Sequence, residues 1–135
     1  MEKIIWDESF SVGIQEIDKQ HKKLIEIINR LIETRNVTVY SETISDVLSE
    51  MTKYADYHFR TEEEYMLKYE YPDYSLHKEQ HKEFLKKTVA FCLDTMEYKK
   101  TVPVEVLSYL KNWLTNHILK SDMKYKAFFK EKGLN

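Results

Sequence analysis

Glycine and proline are almost missing from this 135-residue chain, at two each, against average usages of about 7% and 5%. Sheets and turn-rich folds place those residues at their corners, so an all-β protein is close to excluded. Cysteine is equally scarce: Cys92 stands alone, which rules out an intramolecular disulfide and suits a reducing compartment. Charge of one sign is never concentrated. Lysine and arginine total 21, aspartate and glutamate 23, and the net is -2, whereas a nucleic-acid binder needs a concentrated basic face. Long apolar runs are also lacking, and the opening segment Met1 to Asp7 has no signal-like apolar stretch. The expectation is a soluble cytoplasmic protein without a membrane span.

What is abundant is core material. The chain is 42% hydrophobic and 13% aromatic, with ten tyrosines and six phenylalanines. Its length fits a single domain over residues 1–135, able to remove roughly two-thirds of its extended surface from water. Trp6, Phe10, Val12, Ile14 and Ile17 carry no helical period and read as an extended N-terminal arm. Asp18 offers an N-cap, and His21, Leu24, Ile25, Ile28, Leu31 and Ile32 then recur at three- and four-residue steps up to Asn36. Val37, Thr38 and Val39 break that pattern, and Ser41 can cap a second helix. Its inward face runs Ile44, Val47, Leu48, Met51, Tyr54, Ala55, His58, Glu62, Tyr65 and Met66, and Pro72 stops it.

Asp73 or Ser75 starts a third helix, with His77, His81, Phe84, Leu85, Thr88, Phe91 and Cys92 on one side. After a connection at Lys99 to Thr101, Pro103 sits in the first turn of a fourth helix bearing Val106, Leu107, Leu110, Trp113, Leu114 and His117. Ser121 or Asp122 can cap a short last helix that carries Phe128 and Phe129 and closes at Gly133. The expected fold is all-α: an antiparallel up-down four-helix bundle with an N-terminal arm and a short C-terminal helix.

All five histidines fall on those inward stripes. A core position seldom selects histidine, because both ring nitrogens need partners once buried. His77 and His81 stand one turn apart on one helix face, and His58 and Glu62 repeat the spacing with nitrogen above oxygen. His21 and His117 bring the first and fourth helices to the same point. Of the run Glu62, Glu63 and Glu64, only Glu62 shares the face of His58; the other two read as a solvated face. Asp122 lies five residues after His117, about 140° around an ideal helix. It is either an N-cap or, if the helix distorts near Lys120 and Ser121, a further ligand.

Ligand type then selects the metal. Zinc sites are usually filled by four ligands, and seven candidates overfill one. Calcium and magnesium want oxygen. Imidazole with a few carboxylates suits iron, manganese or copper, and this many ligands suits two ions in a bundle interior.

With these residues in view, the sequence resembles the hemerythrin family in its stand-alone bacterial form. The likeness runs from Trp6-Asp7-x-x-Phe10 and Val12-Gly13-Ile14 through Ile17-Asp18-x-Gln20-His21. It continues in His58-Phe59-x-x-Glu62, His77-x-x-x-His81 and Trp113-Leu114-x-x-His117-Ile118 with Asp122. The resemblance implies two irons, one held by His77, His81 and His117 and the other by His21 and His58. Glu62, Asp122 and an oxo or hydroxo group would bridge them. These ligands fill all but one position of two octahedral ions, leaving the vacancy on the two-histidine iron. Dioxygen would bind there reversibly as hydroperoxide, in a pocket of Phe59, Trp113, Leu114 and Ile118.

The implied role is oxygen carriage, storage or supply rather than enzymatic turnover. With two carboxylates and otherwise neutral imidazoles, oxidation past the diferric state is disfavoured. A di-iron oxidase or peroxidase, a nitric-oxide handling protein, and an oxygen sensor working through a separate partner are the alternatives. The expected oligomeric state is a monomer, the oxygen recipient is unspecified, and Cys92 reads as a small core residue rather than a redox switch. The tyrosines read as core-edge packing with a polar tip.

Overall fold

The first helix begins earlier than Asp18, because the side chain expected to cap it is engaged elsewhere. In the computed structural model, Asp18 accepts hydrogen bonds from Ser11 Oγ at 2.6 Å and from the Val12 backbone N–H at 2.8 Å. It therefore pins the arm, while its own N–H bonds to the Ile14 carbonyl one turn back. Gly13, with φ of +80°, supplies the left-handed residue at the junction. The arm contains a 3-10 turn over Glu8–Phe10, capped by the Asp7 carboxylate. It is held to the first helix where Asn29 exchanges hydrogen bonds of 2.8 and 2.9 Å with the Ile4 backbone.

The structure describes residues 2–35, 41–96 and 104–135, and side chains at 2–33, 47–91 and 106–135. The expectations for Asn36 to Val39, Lys99 to Thr101 and Pro103 lie outside the described residues, as do those resting on the Ser41, Ile44 and Cys92 side chains. The helices are α1 (Gln15–Arg35), α2 (Ser41–Lys68), α3 (Tyr74–Met96), α4 (Val104–Asn116) and α5 (Met123–Glu131). A π-helical segment, His117–Asp122, joins α4 to α5 without a break. Among the described residues no helix is long and apolar enough to cross a membrane.

Pro72 is not the stop signal for α2. The helix ends four residues earlier, at Lys68, and is closed by Glu70 in the left-handed region at φ 57°. The Tyr71 N–H reaches the Met66 carbonyl at 2.8 Å and the Glu70 N–H reaches the Leu67 carbonyl at 3.3 Å. This crossed pair is a Schellman closure, and burial of Met66 with Tyr71 in one cluster supplies its apolar contact. Gly133 closes α5 in the same way, as expected, with Leu134 N–H on the Phe129 carbonyl at 3.1 Å. Asp73 begins α3, its carbonyl accepting from the His77 N–H at 3.0 Å.

Side-chain contacts give the topology. On α1 and α2, Arg30 pairs with Glu50 while His21 lies against His58. On α2 and α3, Phe59 meets Phe84 while Glu63 meets His81. On α3 and α4, Phe91 meets Tyr109 and Phe84 meets Trp113. In each pair the later residue of one helix faces the earlier residue of the next, so the helices run antiparallel. The buried apolar side chains form two clusters. The larger contains Leu24, Ile28, Leu48, Met51, Leu107 and Leu110, and the smaller contains Val12, Ile17, Met66, Tyr71, Tyr125 and Phe129. Along α1, α2 and α3, and in the π segment after α4, the histidines fall where the larger cluster gives way to the smaller.

Candidate metal centre

Each helix delivers its polar residues to this band by register. His21 comes from α1, His58 and Glu62 from successive turns of α2, and His77 and His81 from successive turns of α3. His117 and Asp122 come from the two ends of the π segment. In an α-helix a five-residue step would turn Asp122 about 140° away from His117. In a π segment the hydrogen bonds skip to the fifth residue, so side chains five apart stack. Asp122 Oδ1 accordingly lies 3.0 Å from His117 Nε2. Although Asp122 immediately precedes α5, its side chain makes no cap hydrogen bond there, so the capping alternative is corrected.

Asp122 divides its oxygens between two groups of histidines, and Glu62 lies between the same two groups. Asp122 Oδ1 faces His77 Nε2 at 2.8 Å, and Oδ2 faces His21 Nε2 at 3.1 Å. Glu62 Oε1 lies 2.5 Å from His58 Nε2, and Oε2 lies 3.8 Å from His77 Nε2. Two overlapping sets of side chains capable of holding a metal ion result. One joins His77, His81 and His117 with Glu62 and Asp122; the other joins His21 and His58 with the same carboxylates, and ligand atoms within each set lie within 4.8 Å of one another. None of these residues is more than 6% exposed.

The outer ring nitrogens determine which face of each imidazole carries a lone pair. His58 Nδ1 lies 2.6 Å from Gln20 Oε1. The Gln20 amide is oriented by donation to Thr61 Oγ1 at 3.3 Å, and that hydroxyl donates to the Tyr57 carbonyl at 3.1 Å. An oxygen therefore faces His58, Nδ1 carries the proton, and Nε2 is free for a ligand. Glu63 Oε2 does the same for His81 Nδ1 at 3.1 Å. As a result His81 Nε2 and His117 Nε2 confront each other at 3.1 Å.

Electrostatics at the band are strongly coupled. Burial alone would raise both carboxylates, but the facing imidazoles overcome it and hold Glu62 and Asp122 below the usual carboxylate range. Burial opposes charge on His21 as well, yet Asp122 and Glu62 raise its pKa to about 9. His77 moves up for the same reason, whereas burial carries His58 and His81 down. Even so, His21 Nε2, His77 Nε2 and all four carboxylate oxygens meet only as ion-pair neighbours, without a well-directed hydrogen bond. Each such buried group costs about 1–3 kcal/mol, against a typical domain stability of about 5–15 kcal/mol. A cation that takes the place of the imidazole protons among these converging nitrogens and oxygens removes that cost, and the donor set fits an imidazole-rich transition-metal site.

Aromatic and aliphatic side chains wall the band. Phe59 stacks on His81 with ring centroids 3.9 Å apart, and Trp113 stacks on His117 at 4.4 Å. Leu114 and Ile118 are buried in the larger cluster with Phe59, and partly buried Trp113 packs against it. Three residues depart from the sequence reading. Glu63 is not a solvated face residue; its side chain is 17% exposed and touches His81. No pattern along the chain marks it, because its contact depends on the register between α2 and α3. Gln20, noted only as a motif position, orients His58. Tyr125 is not at the core edge: it is fully buried, with an unpartnered hydroxyl, and Asp122 and Glu62 add to burial in raising its pKa.

The family model for the hemerythrin HHE cation binding domain matches residues 12–129. A bacteriohemerythrin of Clostridium acetobutylicum is 33% identical over 125 residues, covering 90% of this chain and 97% of its own. A myohemerythrin of Theromyzon tessulatum is 33% identical over 123 residues, covering 90% of each. A solved wild-type hemerythrin superposes with a TM-score of 0.85 at 25% identity, covering 93% of this chain and 97% of the other. The chain belongs to the hemerythrin family, which implies non-haem iron.

Proposed function

We propose, with membership of the hemerythrin family as the premise, that this protein binds dioxygen reversibly at a pair of irons, with oxygen carried as hydroperoxide, and that it is not an enzyme. The observation that carries the reading is the sharing of Glu62 and Asp122 between a three-histidine and a two-histidine group. His77, His81 and His117 would hold one iron, His21 and His58 the other, and the two carboxylates and an oxo or hydroxo group would bridge them. When bound, an iron pair would supply the two electrons, and a hydroxo group held between the irons the proton, that dioxygen takes up as hydroperoxide and gives back on release.

The chain's own residues do the rest. Gln20 and Glu63 hold protons on the outer nitrogens of His58 and His81, so that both Nε2 atoms point inward with a free lone pair for a metal. Phe59, Trp113, Leu114 and Ile118 form the oxygen pocket and exclude the water that would assist loss of oxygen in a reduced form. The donor set contains only two carboxylates, which disfavours oxidation beyond the ferric state and so favours release over cleavage. In the same reading the chain is one domain over residues 1–135, a cytoplasmic monomer.

The test is an optical oxygen titration of the diferrous protein, followed by argon flushing. A visible charge-transfer band that rises with oxygen and vanishes on flushing is expected. A permanent diferric spectrum would overturn carriage in favour of oxidase or redox-sensor chemistry. Leu114→Asn should accelerate autoxidation several-fold, and an unchanged rate would remove Leu114 from the shielding role.

A further inference from the structure

The five histidines are not equally supported from behind. His81 Nδ1 donates to the Glu63 carboxylate at 3.1 Å. His58 Nδ1 donates to the neutral Gln20 amide oxygen at 2.6 Å. His21 Nδ1 is buried and has no hydrogen-bond partner. Both partnered rings are fixed in the same tautomer, so orientation does not separate them. Charge does. A carboxylate behind an imidazole draws its N–H proton and raises the electron density at the opposite nitrogen, and hydrogen bonds to ionised groups are roughly twice as strong as neutral ones. The amide bond is shorter, but it adds no charge.

The asymmetry follows the division of the site. The charged support lies behind one ring of the three-histidine group, His81, whose companions His77 and His117 have no outer partner among the described residues; the two-histidine group has one neutral support and one ring with none. We propose that Glu63 makes the three-histidine group the tighter of two metal subsites, so that it fills first and the two-histidine group releases its ion first. This rests on the reading that the centre holds two ions. Glu63 acts here as a positioning and charge-supplying residue; it would not touch the metal. Its side chain lies at the edge of the bundle, 17% exposed, while His81 is buried.

The experiment uses the protein loaded with two zinc ions, stripped by a series of zinc buffers. Bound zinc is counted at each step while the histidine ring signals are followed by NMR. Release in two steps is expected, with the His21 and His58 signals changing before those of His77, His81 and His117. Glu63→Gln keeps a hydrogen-bond acceptor and removes only the charge. It should weaken the last-released ion by about 10–100-fold and leave the first-released ion within about threefold. Glu63→Asp should retain most of the wild-type affinity. A single release step in the wild type, the reverse order of signals, or Glu63→Gln shifting neither step or both equally would overturn the proposal while leaving a two-ion site standing. A protein that never holds two zinc ions per chain would overturn the two-ion reading and this proposal with it.

Discussion

The larger apolar cluster and the polar band beside it are built from the same four helices on opposite terms. In the cluster, Leu24, Ile28, Leu31, Leu48, Met51, Leu107 and Leu110 fill space without directional demands. In the band, His21, Glu62, His77 and Asp122 bring buried polar atoms together as close ion pairs without well-directed hydrogen bonds. The first region should tolerate exchange at a cost set by volume, because apolar packing is close but non-directional. The second has a meaning only as a set. A bundle can therefore hold its stability in apolar layers and carry between them a site that lowers it.

The largest effect should come from removing a carboxylate that both groups share. Asp122→Ala is expected to leave fewer than two irons per chain and no reversible oxygen band, with helical circular dichroism retained. Metal analysis giving two irons in this variant would break the contrast between the regions. Leu110→Ala, in the apolar cluster, should cost about 2–5 kcal/mol by urea unfolding while the iron count stays at the wild-type value. Loss of iron there would show that the two regions are not separable.

The metal-free protein should show the difference through pH. His21, held at about 9 by Asp122 and Glu62 against burial, contributes stability that is complete below pH 6.5 and is lost as pH rises through 9. His77, also raised, acts in the same direction. His58 and His81, lowered by burial, contribute stability present above pH 6.5 and lost as pH falls. Glu62 and Asp122 add stability present above the usual carboxylate range and lost as pH falls through their depressed folded values. Urea midpoints of the metal-free protein should thus peak near pH 6.5 and decline on both sides. Leu110→Ala should lower that curve without changing its shape; a flat wild-type curve would contradict the linkage.

The smallest effect lies at the end of α2. Glu70 occupies a left-handed conformation at φ 57°, and Glu70→Gly should stabilise the protein by about 1 kcal/mol by removing the Cβ clash. A lower thermal midpoint would show that the Glu70 side chain contributes a contact there.

Sequence periodicity made the helices and the five histidines legible because burial repeats every three or four residues, and every histidine lies on that stripe. It failed where one side chain had two uses. Asp18 has the chemistry of an N-cap, but the arm claims its carboxylate, so α1 starts at Gln15 instead. The end of α2 was hidden because a glutamate occupies the position where glycine is the usual signal. Asp122 could be placed inward only if the helix changed its winding, and no side-chain pattern encodes that change. Gln20 and Glu63 act across helix pairs, through the register between α1 and α2 and between α2 and α3, which a single chain read in one dimension does not display.

The most direct test of the central claim is diffraction from the iron-loaded protein with anomalous data at the iron edge. Two peaks about 3.5–4 Å apart are expected between Glu62 and Asp122, one beside His77, His81 and His117 and the other beside His21 and His58. A single peak, or two peaks that do not share both carboxylates, would contradict the account.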